Sequence, residues 1–367
     1  MLVRLVAQHS DGQVDILQEG AFKLVLHSPA ASLRRIAAGT AEWPQRALDS
    51  RLVHGRLDAP IDFGRTTGMG AHLRDGRNLL RRIVREATEE QWTVGILDRP
   101  VASVLDRFDP KEIRWLPEMT GGYAADPFGV ERGGELTILA ELFPFAEPRG
   151  RIGRLYEDGR TETLIDGSCH LSYPQIITHA GQIWCLPEAS TSRELRLYCA
   201  DPFPTRWQPD RLLLENFPAV DATVFEHDGR WWMLTANHDD QDETRLYVFH
   251  APDLFGPWSP HAMNPVRSDL RSARPAGPPF QHEGKLYRPA QDCSRTYGGA
   301  IAINRIDVLT PDRFEERIVK CLEPDPNGPY PDGLHTLVGV GQRTLVDGKR
   351  EFRSVKRLLQ RLRSGLG

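Results

Sequence analysis

The sequence has no long hydrophobic run and little net charge, and both absences exclude classes of protein. The longest apolar stretches, such as the one from Leu136 to Leu142, fall well short of the roughly 20 residues that a membrane-spanning helix needs. A formal net charge of -4 over 367 residues disfavours a nucleic-acid partner, which needs a strongly basic surface. The first residues also lack the apolar core of a secretory signal. We therefore predict a cytoplasmic protein without a transmembrane segment.

Cysteine is scarce, and the motifs of several enzyme classes are missing. The five cysteines never form a C-x-x-C pair, which argues against a disulfide framework and a structural zinc site. The sequence contains no G-x-G-x-x-G, Walker A, G-x-S-x-G or H-E-x-x-H motif, so signatures of nucleotide-binding proteins, serine hydrolases and zinc proteases are absent. We expect neither a metal nor a cofactor.

What the sequence does contain is an internal repeat rich in turn residues. In four segments an apolar residue is followed after three positions by glycine and then by an alternating apolar run, and the segments start 47, 48 and 55 residues apart. They are Val130–Glu141, Ile177–Glu188, Phe225–Ala236 and Phe280–Gln291. Each segment predicts two strands joined by a tight turn at the glycine, and a third strand-like run follows most of them.

A repeat of this length made of antiparallel strands predicts an all-β protein with a five-bladed β-propeller. The fifth unit, His335–Gly348, is divergent and shows only two obvious strands before the chain turns basic. The run WTVGIL, Trp92–Leu97, is a candidate for a missing strand of this unit. Its pairing there would close the ring and remove exposed sheet edges.

The first part of the chain does not fit the repeat, and we predict a mixed α/β extension over residues 1–105. VRLVAQ and AFKLVLHS are predicted as short strands, and Asn78–Trp92 has apolar residues at helical spacing. The propeller is expected over residues 106–350 and a basic tail over residues 351–367.

Propeller geometry brings equivalent positions of the repeat together, because the first strand of every blade lines the central channel. The residues four positions before each repeat are Asp126, Tyr173, Asp221 and Ala276. The second strand runs back antiparallel, so its last residue returns to the same rim. These last residues are Glu141, Glu188, Ala236 and Gln291. We therefore expect several carboxylates to face one pocket.

Carboxylates confined in one site repel one another, so one keeps a proton while another stays ionised. Glycosidic-bond chemistry uses such a pair, one donating a proton to the leaving oxygen and the other acting on water or the anomeric carbon. We predict Asp126 as base or nucleophile, Glu188 as acid and Asp221 as the group that tunes their pKa. The alternative is structural: the aspartates cap turns entering their strands, and Glu141 and Glu188 pair with arginines.

The fourth repeat carries the densest polar cluster, in RPAG and YRPAQDCSRTYGG. Arg274 and Arg288 offer forked donors that suit a carboxylate, a phosphate or vicinal hydroxyls. The predicted substrate-binding set is Glu141, Tyr173, Arg274, Arg288, Gln291, Asp292, Tyr297 and His335. Two alternatives stay open: Arg274 only neutralises the acidic rim, and His335 is a packed, hydrogen-bonded residue.

The motifs ADPF, SYPQI, DATVF, RPAG, RPAQD and GLHT together resemble a known domain. From about Arg114 to Arg350 the chain resembles the N-terminal domain of the glucosamine inositolphosphorylceramide transferases, and more distantly the five-bladed glycosidases of the arabinanase and xylosidase type. The resemblance implies a carbohydrate-active protein. In the glycosidases an aspartate base, a pKa-tuning aspartate and a glutamate acid lie on successive blades. Asp126 matches the first position, whereas Tyr173 stands where the second aspartate would be.

The resemblance covers only the propeller part of the transferases, whose transferase fold is a separate C-terminal domain. From the rim carboxylates and the resemblance together, we expect glycosyl transfer or hydrolysis on a glycan or glycoconjugate. The alternative is a non-catalytic carbohydrate-binding propeller that positions a glycan for a partner glycosyltransferase. A protein-interaction propeller is a third alternative that fits the acidic, polar rim less well.

The C-terminal segment from Lys349 onward carries seven basic residues against Glu351 alone. Apolar residues of SVKRLLQRLR fall at helical spacing, which predicts a short basic helix able to make peripheral contact with an anionic membrane. The alternatives are a solvated helix docked against the acidic body and a frayed terminus.

Overall fold

The computed structural model describes residues 1–9, 13–25, 28–50, 55–57 and 88–353. The chain divides into two compact units. One comprises Met1–Glu90, Ser268–Leu270 and Glu351–Gly367, and the other comprises Gln91–Arg267 and Arg271–Arg350. No helix in the described ranges has the length and apolarity required to cross a membrane.

The smaller unit is mixed α/β, as predicted for the N-terminal extension. It contains an antiparallel sheet in the order β1 (Leu2–Gln8), β2 (Val14–Ala21), β3 (Gly55–Leu57), and the helices α1 (Pro29–Thr40) and α2 (Trp43–Ser50). The α1 helix begins where the sequence supplies both start signals. The Ser28 hydroxyl accepts a hydrogen bond from the Ala31 amide at 3.2 Å, and Pro29 occupies the first helical position.

One strand predicted for the extension was wrong in position, and the stretch with helical spacing lies mostly outside the described residues. The strand predicted over AFKLVLHS lies earlier, over Val14–Ala21. The stretch with helical spacing ends in a strand, because residues 88–92 belong to β4 (Thr88–Leu97), and its residues 78–87 lie outside the described ranges. From Gln91 to Leu97 the side chains on both faces of β4 are buried. Burial on both faces stabilises the strand, and the helical spacing of the preceding residues does not change this.

The larger unit is a five-bladed β-propeller, as the repeat predicted. Four blades follow the chain order. Blade one contains β6 (Gly122–Arg132), β7 (Glu135–Pro144), β8 (Arg151–Leu155) and β9 (Thr161–Ile165). Blade two contains β10 (Ser172–His179), β11 (Gln182–Glu188), β12 (Glu194–Ala200) and β13 (Trp207–Glu215). Blade three contains β14 (Ala219–His227), β15 (Arg230–Asn237), β16 (Arg245–Ala251) and β17 (Ser259–Pro260), and blade four contains β19 (Phe280–His282), β20 (Lys285–Asp292), β21 (Ala300–Leu309) and β22 (Phe314–Leu322). The two-residue strand β18 (Arg267–Ser268) lies in sequence between blade three and blade four.

The fifth blade closes the ring with two strands that precede blades one to four in the sequence and two that follow them. Its order is β23 (Leu337–Val340), β24 (Arg343–Arg353), β4 and β5 (Arg114–Trp115). This confirms the pairing predicted for Trp92–Leu97. Because β24 continues to Arg353, the first three residues of the predicted tail are strand, and the predicted helix SVKRLLQRLR lies outside the described residues.

The first turn of each of the four regular repeats has the same geometry. Two residues join the strands, and both have positive φ, with glycine second at φ between 69° and 82°. This is the type I′ hairpin turn that matches the twist of paired strands. Trp184, Trp231 and Trp232 follow these turns and fill space in the apolar core.

Candidate active site

The inner strands of blades one, two and three carry the same distortion at equivalent positions. In each, the pairing with the second strand shifts register, and the residue at the shift has a left-handed backbone. These residues are Asp126 (φ 51°), Tyr173 (φ 47°) and Asp221 (φ 49°). Bulges of this kind re-aim side chains, and a left-handed tyrosine is uncommon. Asp126, Tyr173 and Asp221, which occupy equivalent positions in the sequence repeat, therefore also share the same backbone conformation.

Asp126 is buried and held by groups from two neighbouring blades. Its Oδ2 accepts a hydrogen bond from the Tyr173 amide at 3.2 Å, and its Oδ1 accepts one from the Thr336 hydroxyl at 3.0 Å. The His335 Nε2 lies 3.5 Å from Oδ1. Burial raises the pKa of Asp126 to about 6, although the charge of His335 opposes the shift.

Glu188 and Asp221 are two further buried carboxyl groups, and they lie next to each other. Glu188 Oε2 accepts a hydrogen bond from the Asp221 amide at 3.0 Å, and Asp221 Oδ2 accepts from Arg274 Nε at 2.6 Å and Gln291 Nε2 at 2.9 Å. Burial raises the pKa of Asp221 to about 7 against the opposing charge of Arg274. Burial also raises the pKa of Glu188, while Arg274 and hydrogen bonds to Asp221 oppose that shift.

Glu141 differs from these groups because its buried Oε1 makes no hydrogen bond within the described residues. His170 Nε2 lies 3.3 Å from this oxygen. The Gly150 amide donates to His170 Nδ1 at 2.9 Å, so Nε2 carries the proton of the neutral ring. Burial and then the charge of Asp126 raise the pKa of Glu141 well above its usual range.

His335 stands beside a carboxylate that sequence reasoning missed. Its Nδ1 lies 2.6 Å from Oδ2 of Asp347, and its ring stacks on Trp92 with centroids 4.0 Å apart. Burial alone would lower the pKa of His335, but the charges of Asp347 and Asp126 leave it raised. The available signal was an aspartate near the end of the second strand in the divergent fifth repeat.

Arg274 is the cation of this cluster. Besides Asp221, it contacts Asp242 Oδ2 at 3.3 Å and the Tyr297 hydroxyl at 3.4 Å, and its guanidinium lies 5.0 Å from the centre of the Tyr297 ring. This placement agrees with the alternative in which Arg274 neutralises the acidic rim. Asp242, which lies in the run NHDDQDET, was not among the predicted site residues.

The structure brings most of the predicted site residues together. They are Asp126, Glu141, Tyr173, Glu188, Asp221, Arg274, Gln291, Tyr297 and His335. Two are placed elsewhere. Arg288 is completely buried within blade four, where its Nε and Nη2 bind Glu316 at 2.9 and 2.6 Å. Asp292 accepts a hydrogen bond from the Ser294 amide at 2.8 Å and caps a turn.

One group of these residues has the composition of a metal-ligand set. Asp126, His335 and Asp347 each offer one atom, and these atoms lie within 4.8 Å of one another. However, His335 Nδ1 and Asp347 Oδ2 bind each other, and backbone amides donate to both Asp347 oxygens. In this structure these side chains therefore belong to a hydrogen-bond network.

A separate groove lies outside this cluster. Its lining includes Pro110, Ile113, Trp115, Pro329 and Tyr330. The Trp115 and Tyr330 rings are 4.7 Å apart, and the Tyr330 hydroxyl donates to Glu118 at 2.8 Å. The groove contains none of the predicted site residues.

Comparison with known proteins confirms the resemblance that the motifs indicated. The family described as "Glucosamine inositolphosphorylceramide transferase 1, N-terminal" matches residues 150–327. Glucosamine inositolphosphorylceramide transferase 1 of Oryza sativa subsp. japonica is 35% identical over 211 residues, covering 53% of this chain and 28% of the rice protein. The Arabidopsis thaliana protein of the same name is 32% identical over 209 residues, covering 54% of this chain and 27% of that protein. The chain thus spans just over a quarter of the length of these relatives.

The solved structures that match part of this chain include glycoside hydrolases. A family 117 glycoside hydrolase produced by the marine bacterium Zobellia galactanivorans has a TM-score of 0.45 and 12% sequence identity to this chain. The match covers 64% of this chain and 88% of the hydrolase.

Proposed function

We propose that the propeller is a carbohydrate-active protein whose central carboxylates act on a glycosidic bond. The observation that carries this proposal is the grouping of Asp126, Glu188 and Asp221, from three consecutive blades, as buried carboxyls with different partners. Different partners separate the protonation states of like groups, which acid and base catalysis requires.

The environments suit the predicted roles. Asp126, with a pKa of about 6, is mostly ionised at neutral pH and suits a base or nucleophile. Burial raises the pKa of both Glu188 and Asp221, and Arg274 opposes both shifts. Because Arg274 binds the carboxylate of Asp221 directly, we assign Asp221 the role of tuning its neighbours and keep Glu188 as the proposed acid.

The substrate class is proposed from the relatives. Their name joins a sugar, glucosamine, to a lipid, inositolphosphorylceramide. We therefore propose a glycan or glycoconjugate substrate and favour glycosyl transfer at least as much as hydrolysis. A cytoplasmic location and a peripheral membrane contact through the basic tail would suit a lipid-linked acceptor.

A second candidate is a non-catalytic propeller that binds a glycan and positions it for a partner glycosyltransferase. The observation in its favour is that both oxygens of Asp126 and both oxygens of Glu188 accept hydrogen bonds from the protein. Carboxylates satisfied in this way also serve as structural links between blades.

The test is a screen of the full chain against end-labelled oligosaccharides and glycolipids, with and without sugar nucleotides, followed by mass spectrometry of the products. Asp126→Asn should retain binding and lower turnover by at least about 100-fold, the usual effect of removing a general base. The matched control is Asp228→Asn, because the Asp228 side chain is 88% exposed. Binding without turnover by the wild type would favour the second candidate, and the absence of any binding would overturn both.

A further inference from the structure

Asp347 is a fully buried carboxylate that links the fifth blade to the first. Its Oδ1 accepts hydrogen bonds from the backbone amides of His335 at 3.0 Å and Thr336 at 2.9 Å. Its Oδ2 accepts a hydrogen bond from the Asp126 amide at 2.9 Å and lies 2.6 Å from His335 Nδ1. One side chain therefore contacts both the backbone of Asp126 and the imidazole next to it.

These contacts determine how His335 faces Asp126. Because Nδ1 is bound to Asp347, the other nitrogen, Nε2, points to Asp126 Oδ1 at 3.5 Å. Trp92 covers a face of the ring, and Gly298 packs closely against it, since a Cβ at Gly298 would lie 2.7 Å from the His335 Cβ. The imidazole is thus restrained by packing as well as by hydrogen bonding.

The same carboxylate fixes the bulge that presents Asp126. At this position the backbone is left-handed, with φ of 51°, a conformation that persists only where the surroundings stabilise it. Asp347 Oδ2 is the acceptor for the Asp126 amide. If Asp347 were removed, this amide would be a buried donor that has lost its acceptor.

We propose that Asp347 and His335 are positioning residues for Asp126: Asp347 holds the bulge backbone and orients the imidazole, and His335 holds the Asp126 carboxylate. Neither is assigned a contact with substrate. The proposal rests on the proposed role of Asp126 as base, and it explains why the fifth blade places an Asp–His pair where His335 alone was expected to bind substrate.

The charged and titratable groups around His335 support this role. Asp347 faces it from β24, Asp126 from β6 and Asp221 from β14, while Tyr297 packs against the ring edge and Lys349 Nζ lies 5.6 Å from the Trp92 ring. The carboxylates favour the imidazolium, and the imidazolium in turn favours ionised Asp126. Removing it should therefore raise the pH at which Asp126 loses its proton.

The test is NMR titration of the full chain with labelled histidine and aspartate. In wild type, the His335 imidazole should titrate above its ordinary pKa of about 6.5 with a proton on Nδ1. Asp347→Asn should lower the His335 midpoint by at least one pH unit, and Asp228→Asn should leave it unchanged. Asp126→Asn assigns the Asp126 carboxyl signal.

A second variant keeps the proposal testable if Asp347→Asn does not fold. His335→Gln keeps a polar side chain but removes the imidazolium, so the midpoint of the Asp126 carboxyl should rise by at least one pH unit. Where turnover is detected, the lower limb of the kcat/KM profile should move up by the same amount, with kcat reduced more than KM is changed. Unchanged midpoints in both variants would overturn the proposal. The NMR result is independent of turnover, so a wild type without activity would overturn the proposed function and not this one.

Discussion

At the residue scale, Arg288 shows how a side chain that looks suited to a ligand can be structural. Arg288 and Glu316 form a buried ion pair with 0% and 1% side-chain exposure. Arg288→Met should lower the free energy of unfolding by about 3 kcal/mol, because it removes the guanidinium bonded to buried Glu316 and leaves that carboxylate with the more distant Arg267 Nη1 at 3.6 Å. Urea unfolding measures this change.

Arg313→Ala is the control for that substitution, because Arg313 is 59% exposed and pairs with Glu315 on the surface. It should change stability by no more than about 1 kcal/mol. If Arg288→Met is equally mild but abolishes glycan binding, Arg288 is a ligand residue after all.

Sequence position alone could identify the carboxylates but not their partners. Repeat spacing is local, so it aligned Asp126 with Asp221 and Glu141 with Glu188. The ion pair of Arg288 with Glu316 joins β20 to β22, and Asp347 lies in the divergent fifth unit. Partner choice depends on packing between strands that the spacing does not encode.

The titration of Asp126 has a consequence for stability. Its pKa in the folded protein, about 6, lies above its ordinary value of 3.8, so its stabilising protonated form is lost as the pH rises through about 6. Asp126→Asn cannot ionise. Its free energy of unfolding relative to wild type should therefore increase between about pH 4 and pH 6, by on the order of 3 kcal/mol, and then level off. Denaturant unfolding at several pH values checks this, and a flat or falling difference would contradict it.

At the element scale, two glycines with positive φ differ in what surrounds them. Gly229, in the turn between β14 and β15, has no atom within 4 Å of a built Cβ, whereas a Cβ at Gly277 would lie 2.1 Å from the Leu337 carbonyl oxygen. Gly229→Ala should cost about 1–2 kcal/mol from backbone strain alone. Gly277→Ala should cost about 3 kcal/mol or more, because it also separates blade four from β23. Equal losses of stability in thermal unfolding would contradict this assignment.

Strands and turns were predictable because their signals are local. Glycine at the second turn position repeats with the strands, so the hairpins of blades one to four followed from the sequence. The bulges at Asp126, Tyr173 and Asp221 did not, because no glycine marks them and the side chains there are set by neighbouring blades. In the extension, α1 has Ser28 and Pro29 as its start signals, yet the helix was not predicted.

At the scale of the whole molecule, the ring is closed by β4, so this strand should contribute to one cooperative unit. Val94 and Ile96 are fully buried and pack in one core with Phe128 and Ile138 of blade one. Ile96→Ala should lower the stability of the entire propeller by about 2–5 kcal/mol, as Ile303→Ala in blade four should also do. Differential scanning calorimetry would show one shifted transition for both. A separate early transition for Ile96→Ala would mean that β4 is an independent attachment.

We propose that a glycan is bound and processed at the carboxylates in the propeller centre. The most direct measurement is a crystal structure of the Asp126→Asn variant with the tightest-binding glycan from the screen. We expect a glycosidic or hydroxyl oxygen within hydrogen-bond distance of Glu188, with the sugar between Glu188 and residue 126. A glycan bound only elsewhere, such as in the groove lined by Trp115 and Tyr330, would contradict the claim.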